Sequence, residues 1–273
     1  MLSFPNCKIN LGLQITGKRG DGFHDLETIF YPIAIKDAVE IIDADNDLDI
    51  SFTSTGNAVA GNVADNLCVK AYRLLKKDYP QIPNIKLHLH KKIPMGAGLG
   101  GGSADASAVL VLLNTKYNLQ IQQAKLLEYA LQLGSDCPFF IINKPCFATG
   151  RGEALSPIDI DLSAYKIMIV NPGIHVNTGA AFAALGANNF SPKKLLAQKI
   201  KADINTWKTE IKNDFEIPVF KLHPEIATIK NLMYENGAIY SAMSGSGSSV
   251  FGIFNKENTV AINFPVHYFC QMV

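Results

Sequence analysis

The sequence predicts an α+β protein in which strands and helices pack in layers without regular βαβ alternation. Residues 9–15 and 85–89 alternate apolar and polar side chains, the two-residue period of a strand with one buried face. Residues 103–113 and 122–133 are apolar at helical spacings. The chain has 273 residues, 48% of them hydrophobic, which is enough apolar surface for one large or two medium cores.

In the first half, the strand over 9–15 places Lys8 and Asn10 together on its polar face. A glycine-containing turn at 17–22 leads into a second extended run at 23–30. A helix is expected over 66–77, with Asp65 or Asn66 as its cap, followed by the strand 85–89.

In the second half, the helix over 122–133 is expected to end at Gly134 in the left-handed conformation. Asp136 and Pro138 then have the spacing of a cap and first turn of a short helix. The remaining expected elements are a buried strand at 166–170, helices at 178–185 and 192–201, and apolar runs at 238–243 and 250–254.

Residues 154–162 contain proline and acidic residues with little helical periodicity, so we expect a connection there. This gives two expected domains, 1–155 and 163–273.

Charge and composition exclude several classes of protein. Lys and Arg number 25 and Asp and Glu 24, so no overall field attracts nucleic acid or an anionic membrane. The N-terminus lacks the pattern of a signal peptide, and no apolar run approaches the ~20 residues that span a bilayer. Five scattered cysteines favour a reducing cytoplasm over a disulfide framework or a metal site.

The strongest local motif is a glycine-rich loop between the predicted strand 85–89 and the predicted helix 103–113. Five glycines there expose backbone N–H groups beside a helix N-terminus, an arrangement that can bind phosphate. Ser103 adds a hydroxyl that could cap the helix or reach a phosphate or its metal ion. A tight turn or a hinge without a ligand is the alternative. The expected phosphate-binding residues are Pro94, Gly96, Gly98, Leu99, Gly100, Gly101, Gly102 and Ser103.

Two other nucleotide-binding motifs fit less well. Gly96, Gly98 and Gly101 satisfy G-x-G-x-x-G, but the preceding strand alternates, and no acidic residue occurs between Ala106 and Glu128, where a ribose ligand is expected. A Walker loop would require a Gly-Lys-[Ser/Thr] sequence that the motif lacks.

Three other residues carry reactive side chains without a decisive pattern. Asp136 could be a catalytic acid or base, yet on local sequence alone it fits a helix cap better. Lys8 could be a solvated strand lysine. His24 beside Phe23 could bind a base by stacking and hydrogen bonding, or could lie on a hairpin surface.

The glycine loop resembles the phosphate-binding motif of the GHMP kinases, a family of small-molecule kinases. The segments 243–249 and 8–11 resemble that family's C-terminal glycine motif and N-terminal strand, and the three occur in the family's order. The resemblance implies a ribosomal S5-like N-terminal domain, a ferredoxin-like C-terminal domain and an active site in the cleft between them.

The resemblance also implies the reaction. ATP, with Mg²⁺, would phosphorylate the 2-hydroxyl of a cytidine diphosphate-linked methylerythritol in the non-mevalonate route to isoprenoids. Asp136 matches the catalytic aspartate and Lys8 its lysine partner. Asn66 and Lys91 match positions near the adenine and ribose of ATP. The matches on the acceptor side are Asn10, Phe23, His24, Thr178 and Phe182.

Other expectations complete this interpretation. No protein ligand for the metal is assigned, although the Ser103 hydroxyl is a candidate, and a cytoplasmic monomer or weak homodimer is expected. Phe23 stands where the family commonly has tyrosine, and Gly179 where close relatives often have proline. A kinase of the mevalonate or homoserine type, or a nucleotide-binding module without turnover, are the alternatives.

Overall fold

The computed structural model describes residues 1–45, 48–185 and 196–273. Its strands are β1 (Leu2–Ser3), β2 (Asn6–Lys18), β3 (His24–Lys36), β4 (Ala38–Asp43), β5 (Ile50–Gly56), β6 (Ile85–Lys91), β7 (Cys146–Thr149), β8 (Ala154–Pro157), β9 (Tyr165–Asn171), β10 (Tyr240–Met243), β11 (Val250–Asn255) and β12 (Phe269–Met272). Its α-helices are α1 (Leu67–Asp78), α2 (Gly101–Lys116), α3 (Gln123–Leu133), α4 (Cys137–Ile142), α5 (Thr178–Ala184), α6 (Leu196–Lys199), α7 (Trp207–Glu210), α8 (Glu216–Leu222) and α9 (Pro224–Glu235).

The structure divides into two compact units, each made of several chain segments. The first contains residues 1–7, 34–95 and 100–144. Its sheet has the order β1-β4-β6-β5, with β5 parallel to β6 and the other pairs antiparallel. Alternate residues of β4 and β6, including Val39 and Leu87, pack with the apolar residues of α1 and α2 in one core. This packing explains the alternation in the sequence, because only one face of these strands is covered.

The second unit contains residues 8–33, 96–99 and 145–273. It holds the sheets β2-β3-β7-β8 and β10-β11-β9-β12. In the second sheet, β9 pairs antiparallel with β11 and β12, which buries the predicted strand 166–170. Helices α8 and α9 pack with this sheet through residues such as Val219 and Ile226.

The predicted fold class is confirmed, and most predicted elements are found in place. The predicted helix over 66–77 is α1, with Asn66 as its cap, and the predicted helix 178–185 is α5. The apolar runs 238–243 and 250–254 contain β10 and β11. Of the predicted helix 192–201, residues 196–199 form α6, and 192–195 lie outside the described residues.

Three local predictions are wrong. Strand β2 is buried on both faces from Cys7 to Ile15 and not half-buried, because its polar side chains hydrogen-bond within the protein. Gly134 ends α3, but its φ of 169° is extended and not left-handed. Residues 154–157 are strand β8, paired with β7, so the connection is shorter than predicted.

The predicted domains 1–155 and 163–273 follow chain order, whereas the compact units do not. Residues 8–33 group with the C-terminal segments because β3 pairs with β7. The domain boundaries therefore stay a prediction. None of the helices in the described part of the chain is long and apolar enough to cross a membrane.

Candidate functional site

The glycine loop joins β6 to α2 and uses its glycines for backbone conformation. Gly96, Gly98 and Gly100 have φ values of 61°, 76° and 69°, in the left-handed region that favours glycine. Gly100 is the N-cap residue of α2, so the predicted capping role of Ser103 is wrong. Left-handed glycines at a helix N-terminus leave backbone N–H groups available to an anion.

Within the second unit, the loop residues 96–99 lie against the C-terminal glycine motif. The Ser244 hydroxyl donates to the Gly98 carbonyl over 2.8 Å, and the Ser249 N–H donates to the Ala97 carbonyl over 3.2 Å. A Cβ atom added to Gly98 would lie 2.0 Å from the Ser244 carbonyl oxygen. Only glycine fits at this contact, so two motifs distant in sequence form one structure.

The N-terminal strand β2 contributes to the same cluster. Lys8 and Asn10 are only 3% and 2% exposed. The Lys8 ammonium donates to Asn10 Oδ1 over 2.7 Å and to the Gly98 carbonyl over 3.2 Å, while Asn10 Nδ2 donates to Thr28 Oγ1 over 2.8 Å. The structure therefore brings the predicted residues Lys8 and Asn10 together beside the loop, with the lysine held in one orientation.

The residues predicted to bind the acceptor form a second group in the same unit. The His24 ring stacks on Phe182, with centroids 4.8 Å apart and 15° between the planes. The Thr178 and Ser246 hydroxyls are 2.8 Å apart, which joins α5 to the C-terminal glycine motif. Phe23 is 54% exposed, and its ring packs against the Arg151 guanidinium at 4.8 Å. Phe182 provides the aromatic partner that packs on His24.

Asp136 lies in the first unit at the N-cap position of α4, one residue before the helix. Its φ and ψ of −82° and −19° are helical, and its side chain makes no capping hydrogen bond. The predicted helix start and cap position are confirmed, and the start does not depend on a capping hydrogen bond from this side chain. Burial raises the pKa of the neighbouring Cys137 thiol to about 11, so this thiol is neutral at physiological pH. Asp136 and Lys8 belong to different units, and their pairing stays a prediction.

A cavity of about 170 Å³ lies in the first unit beside the start of α2. Asn66 lines the cavity, and its Oδ1 also accepts from the Cys68 N–H over 2.9 Å, which caps α1. The other lining residues include Val59, Leu67, Lys91, Met95, Gly102 and Asp105. The predicted adenine residues Asn66 and Lys91 therefore border one pocket.

Sequence reasoning missed the partners of Lys91. Its ammonium is buried and forms ion pairs with Asp37 and, over 2.7 Å, with Asp105. A signal was present, because Asp105 is the single acidic residue in α2 and stands among apolar and small residues. Buried carboxylates need partners, so such a residue predicts a buried cation. The buried amide of Asn213, which donates to the Met243 and Gly245 carbonyls, has no local sequence signal.

Comparison with known proteins agrees with this arrangement. The GHMP kinases N terminal domain matches residues 66–144, and the GHMP kinases C terminal domain matches residues 193–262. Together these matches cover more than half of the chain, which therefore belongs to the GHMP kinases.

Within that family, the relatives indicate one particular enzyme. The chain is 47% identical over 272 residues to a 4-diphosphocytidyl-2-C-methyl-D-erythritol kinase of Bacteroides thetaiotaomicron, covering 99% of this chain and 98% of the relative. A protein of the same name from Bacteroides fragilis is 49% identical, with 95% and 94% covered. The crystal structure of a 4-(cytidine 5'-diphospho)-2C-methyl-D-erythritol kinase superimposes with a TM-score of 0.80 at 31% identity, covering 93% of this chain and 90% of that one.

Proposed function

We propose that the chain is an ATP-dependent kinase that phosphorylates the 2-hydroxyl of 4-diphosphocytidyl-2-C-methyl-D-erythritol in the non-mevalonate route to isoprenoids. The observation that carries the proposal is the 47% identity to a kinase of that name over 98% or more of both chains. The glycine loop, the Lys8–Asn10 pair and the His24–Phe182 stack supply residues suited to phosphate, hydroxyl and base.

Phosphoryl transfer depends mainly on positioning and on neutralising charge. The backbone N–H groups at the start of α2 would bind the ATP phosphates, and the pocket beside Asn66 would take the adenine. Asp136 would accept the proton of the acceptor hydroxyl, a role worth ~10²- to 10⁴-fold in rate.

Lys8 would orient the acceptor hydroxyl as the lysine partner in the reaction. Its bonds to Asn10 and to the Gly98 carbonyl support this role, because they fix the ammonium beside the phosphate loop.

Mg²⁺ would neutralise phosphate charge in this reaction. The described residues contain no group of three His, Cys, Asp or Glu side chains arranged for a metal ion. Mg²⁺ in kinases is commonly held by nucleotide phosphates and water together with one or two protein groups. Ser103, in the first turn of α2, is the candidate protein ligand.

The cytidine end of the acceptor would lie against the His24–Phe182 stack, because aromatic rings favour offset stacking with a base. Thr178 and Asn10 would contact the remainder of the acceptor. Phe23 in place of the family's usual tyrosine would contribute ring surface without a hydroxyl, and its packing against Arg151 supports a place at the edge of this group.

We place the enzyme in the cytoplasm, as a monomer or weak homodimer. All five cysteines are free, which supports a reducing compartment.

A kinase for homoserine or mevalonate is the alternative within the family. A homoserine kinase from Cytophaga hutchinsonii and a mevalonate kinase from Methanococcus jannaschii superimpose with TM-scores of 0.71 and 0.70. Their identities of 17% and 15% show a shared fold alone.

The test is ADP release from ATP and Mg²⁺ with three alcohols offered separately: the cytidyl methylerythritol, mevalonate and homoserine. Release with the first alone is expected. Release with another alcohol alone would overturn the substrate assignment, and no release with any would favour a binding module without turnover. Calorimetric titration with CDP adds a check, because His24→Ala should weaken binding about tenfold through loss of the aromatic partner.

A further inference from the structure

We propose that Asp37, Lys91 and Asp105 form a positioning cluster that fixes the two ends of the glycine loop at the separation required to bind ATP. The inference rests on the proposed kinase function. It assigns Lys91 a role through the loop, and not through direct contact with the nucleotide.

The cluster connects the chain before the loop to the chain after it. Lys91 is the last residue of β6, and Asp105 lies in the second turn of α2. Their side chains meet at 2.7 Å, although they are 14 positions apart in the sequence. The seven residues 94–100 that form the loop lie between these two points, so the ion pair spans the loop.

Asp37 fixes the entry to the loop. Its Oδ1 accepts from the backbone N–H groups of Lys92, over 2.6 Å, and Ile93, over 2.8 Å. Its Oδ2 is paired with the Lys91 ammonium. One carboxylate therefore holds two consecutive backbone amides and the lysine, which leaves the residues before Pro94 little freedom.

The exit from the loop packs on the same lysine. A Cβ atom added to Gly101 would lie 2.8 Å from Lys91 Nζ and 2.9 Å from Ile93 Cγ2. The first residue of α2 therefore has no room for a side chain beside the ammonium and the loop entry. Lys91 and Asp105 also line the same cavity as Asn66, so a shift of the cluster would move the wall of that cavity.

A core that required only stability would not need this cluster. The Lys91 and Asp105 side chains are 1% and 2% exposed, and removing charges from water costs several kcal/mol per ion before pairing offsets it. Apolar residues of similar size often stabilise such a site equally well or better. Asp37 binds the entry to the loop, and the Lys91–Asp105 ion pair joins the entry to the exit. These contacts give the buried charges a positioning role.

The decisive variant is the double substitution Lys91→Met with Asp105→Leu, which keeps the core volume and removes the tether. We expect an unfolding temperature near that of the wild type, a KM for ATP raised at least about tenfold, and a smaller change in kcat. The single variant Asp105→Asn, which retains the shape and hydrogen bonding of the side chain, should keep most of the wild-type affinity for ATP. Tyr129→Phe is the matched control, because it removes a hydrogen bond to Asp78 in the same unit away from the loop.

Calorimetric titration with a non-hydrolysable ATP analogue separates this proposal from the proposed function. Weakened analogue binding in the double variant, with Tyr129→Phe binding normally, would support the cluster even if no alcohol were phosphorylated. Unchanged analogue affinity and unchanged KM in a folded double variant would overturn it. If the double variant does not fold, Asp105→Ala replaces it, and the same two measurements, analogue affinity and KM for ATP, decide the result. If Asp105→Ala also fails to fold, the positioning role is rejected in favour of a structural one.

Discussion

For Lys8, the sequence predicted the face of the strand on which the side chain lies, but not that this face is buried. Alternation placed Lys8 and Asn10 on one face of a strand, and they do share a face. Their burial was not predictable, because it depends on Thr28, Ser244 and Gly98, which approach from other parts of the chain. Local periodicity specifies which side a residue faces, while the tertiary fold decides whether that side is covered.

Gly98 gives a prediction at the same scale. Gly98→Ala should destabilise the protein by about 2–4 kcal/mol and strongly weaken ATP binding, because its φ is 76° and the added Cβ would overlap the Ser244 carbonyl. Chemical denaturation and titration with an ATP analogue measure the two effects. Gly20→Ala is the matched control, since no atom lies within 4 Å of the added Cβ. Equal stability of the two variants would contradict the assigned contact.

Among the elements, α4 begins where the sequence predicts, but without a capping hydrogen bond from the Asp136 side chain. Asp136 and Pro138 predicted the start of this helix, and it begins at Cys137. Its first carbonyl is held by Ser107 of α2, whose hydroxyl donates to the Cys137 carbonyl over 2.8 Å. This contact comes from another helix, so the local sequence could not reveal it.

Helix α1 provides a prediction that separates structure from binding. Asn66→Ala removes the capping oxygen and should cost about 1 kcal/mol of stability. Asn66→Asp retains a capping oxygen but replaces the amide group that lines the cavity. It should therefore keep near-normal stability and lose ATP affinity. Denaturation and analogue titration of both variants test this, and normal affinity in Asn66→Asp would exclude the amide from nucleotide binding.

For the whole molecule, three motifs indicated the family and its reaction, whereas the compact units could not be derived from chain order. The strands β2 and β3 group with segments that follow residue 145, because β3 pairs with β7. The buried cluster around Lys91 was equally hidden, since Asp37, Lys91 and Asp105 come from separate elements.

The stability of the whole fold should depend on pH through this cluster. Burial, together with the neighbouring Asp37 carboxylate, raises the pKa of Asp105 to about 7, although the Lys91 ammonium opposes the shift. Between about pH 4 and 7 the folded state keeps a proton that the unfolded state releases, so this group makes stability fall as pH rises. The free energy of unfolding falls by about 1.4 kcal/mol for each unit by which the folded-state pKa of Asp105 exceeds its unfolded value.

Asp105→Asn cannot titrate and should lack this dependence. Urea unfolding at pH 5 and pH 7.5 should show the variant gaining stability relative to the wild type at the higher pH. A constant difference between the two proteins at both pH values would contradict the raised pKa.

The measurement that tests the central claim most directly is the initial rate of Mg²⁺-dependent ADP release with the cytidyl methylerythritol, for the wild type and Asp136→Asn. We expect the variant to be slower by about 10²-fold or more because the proton acceptor is lost. Its unfolding free energy, measured in parallel, separates the loss of the proton acceptor from a loss of the fold. A variant that is less stable but turns over normally, or a wild type without activity on this alcohol, would contradict the account.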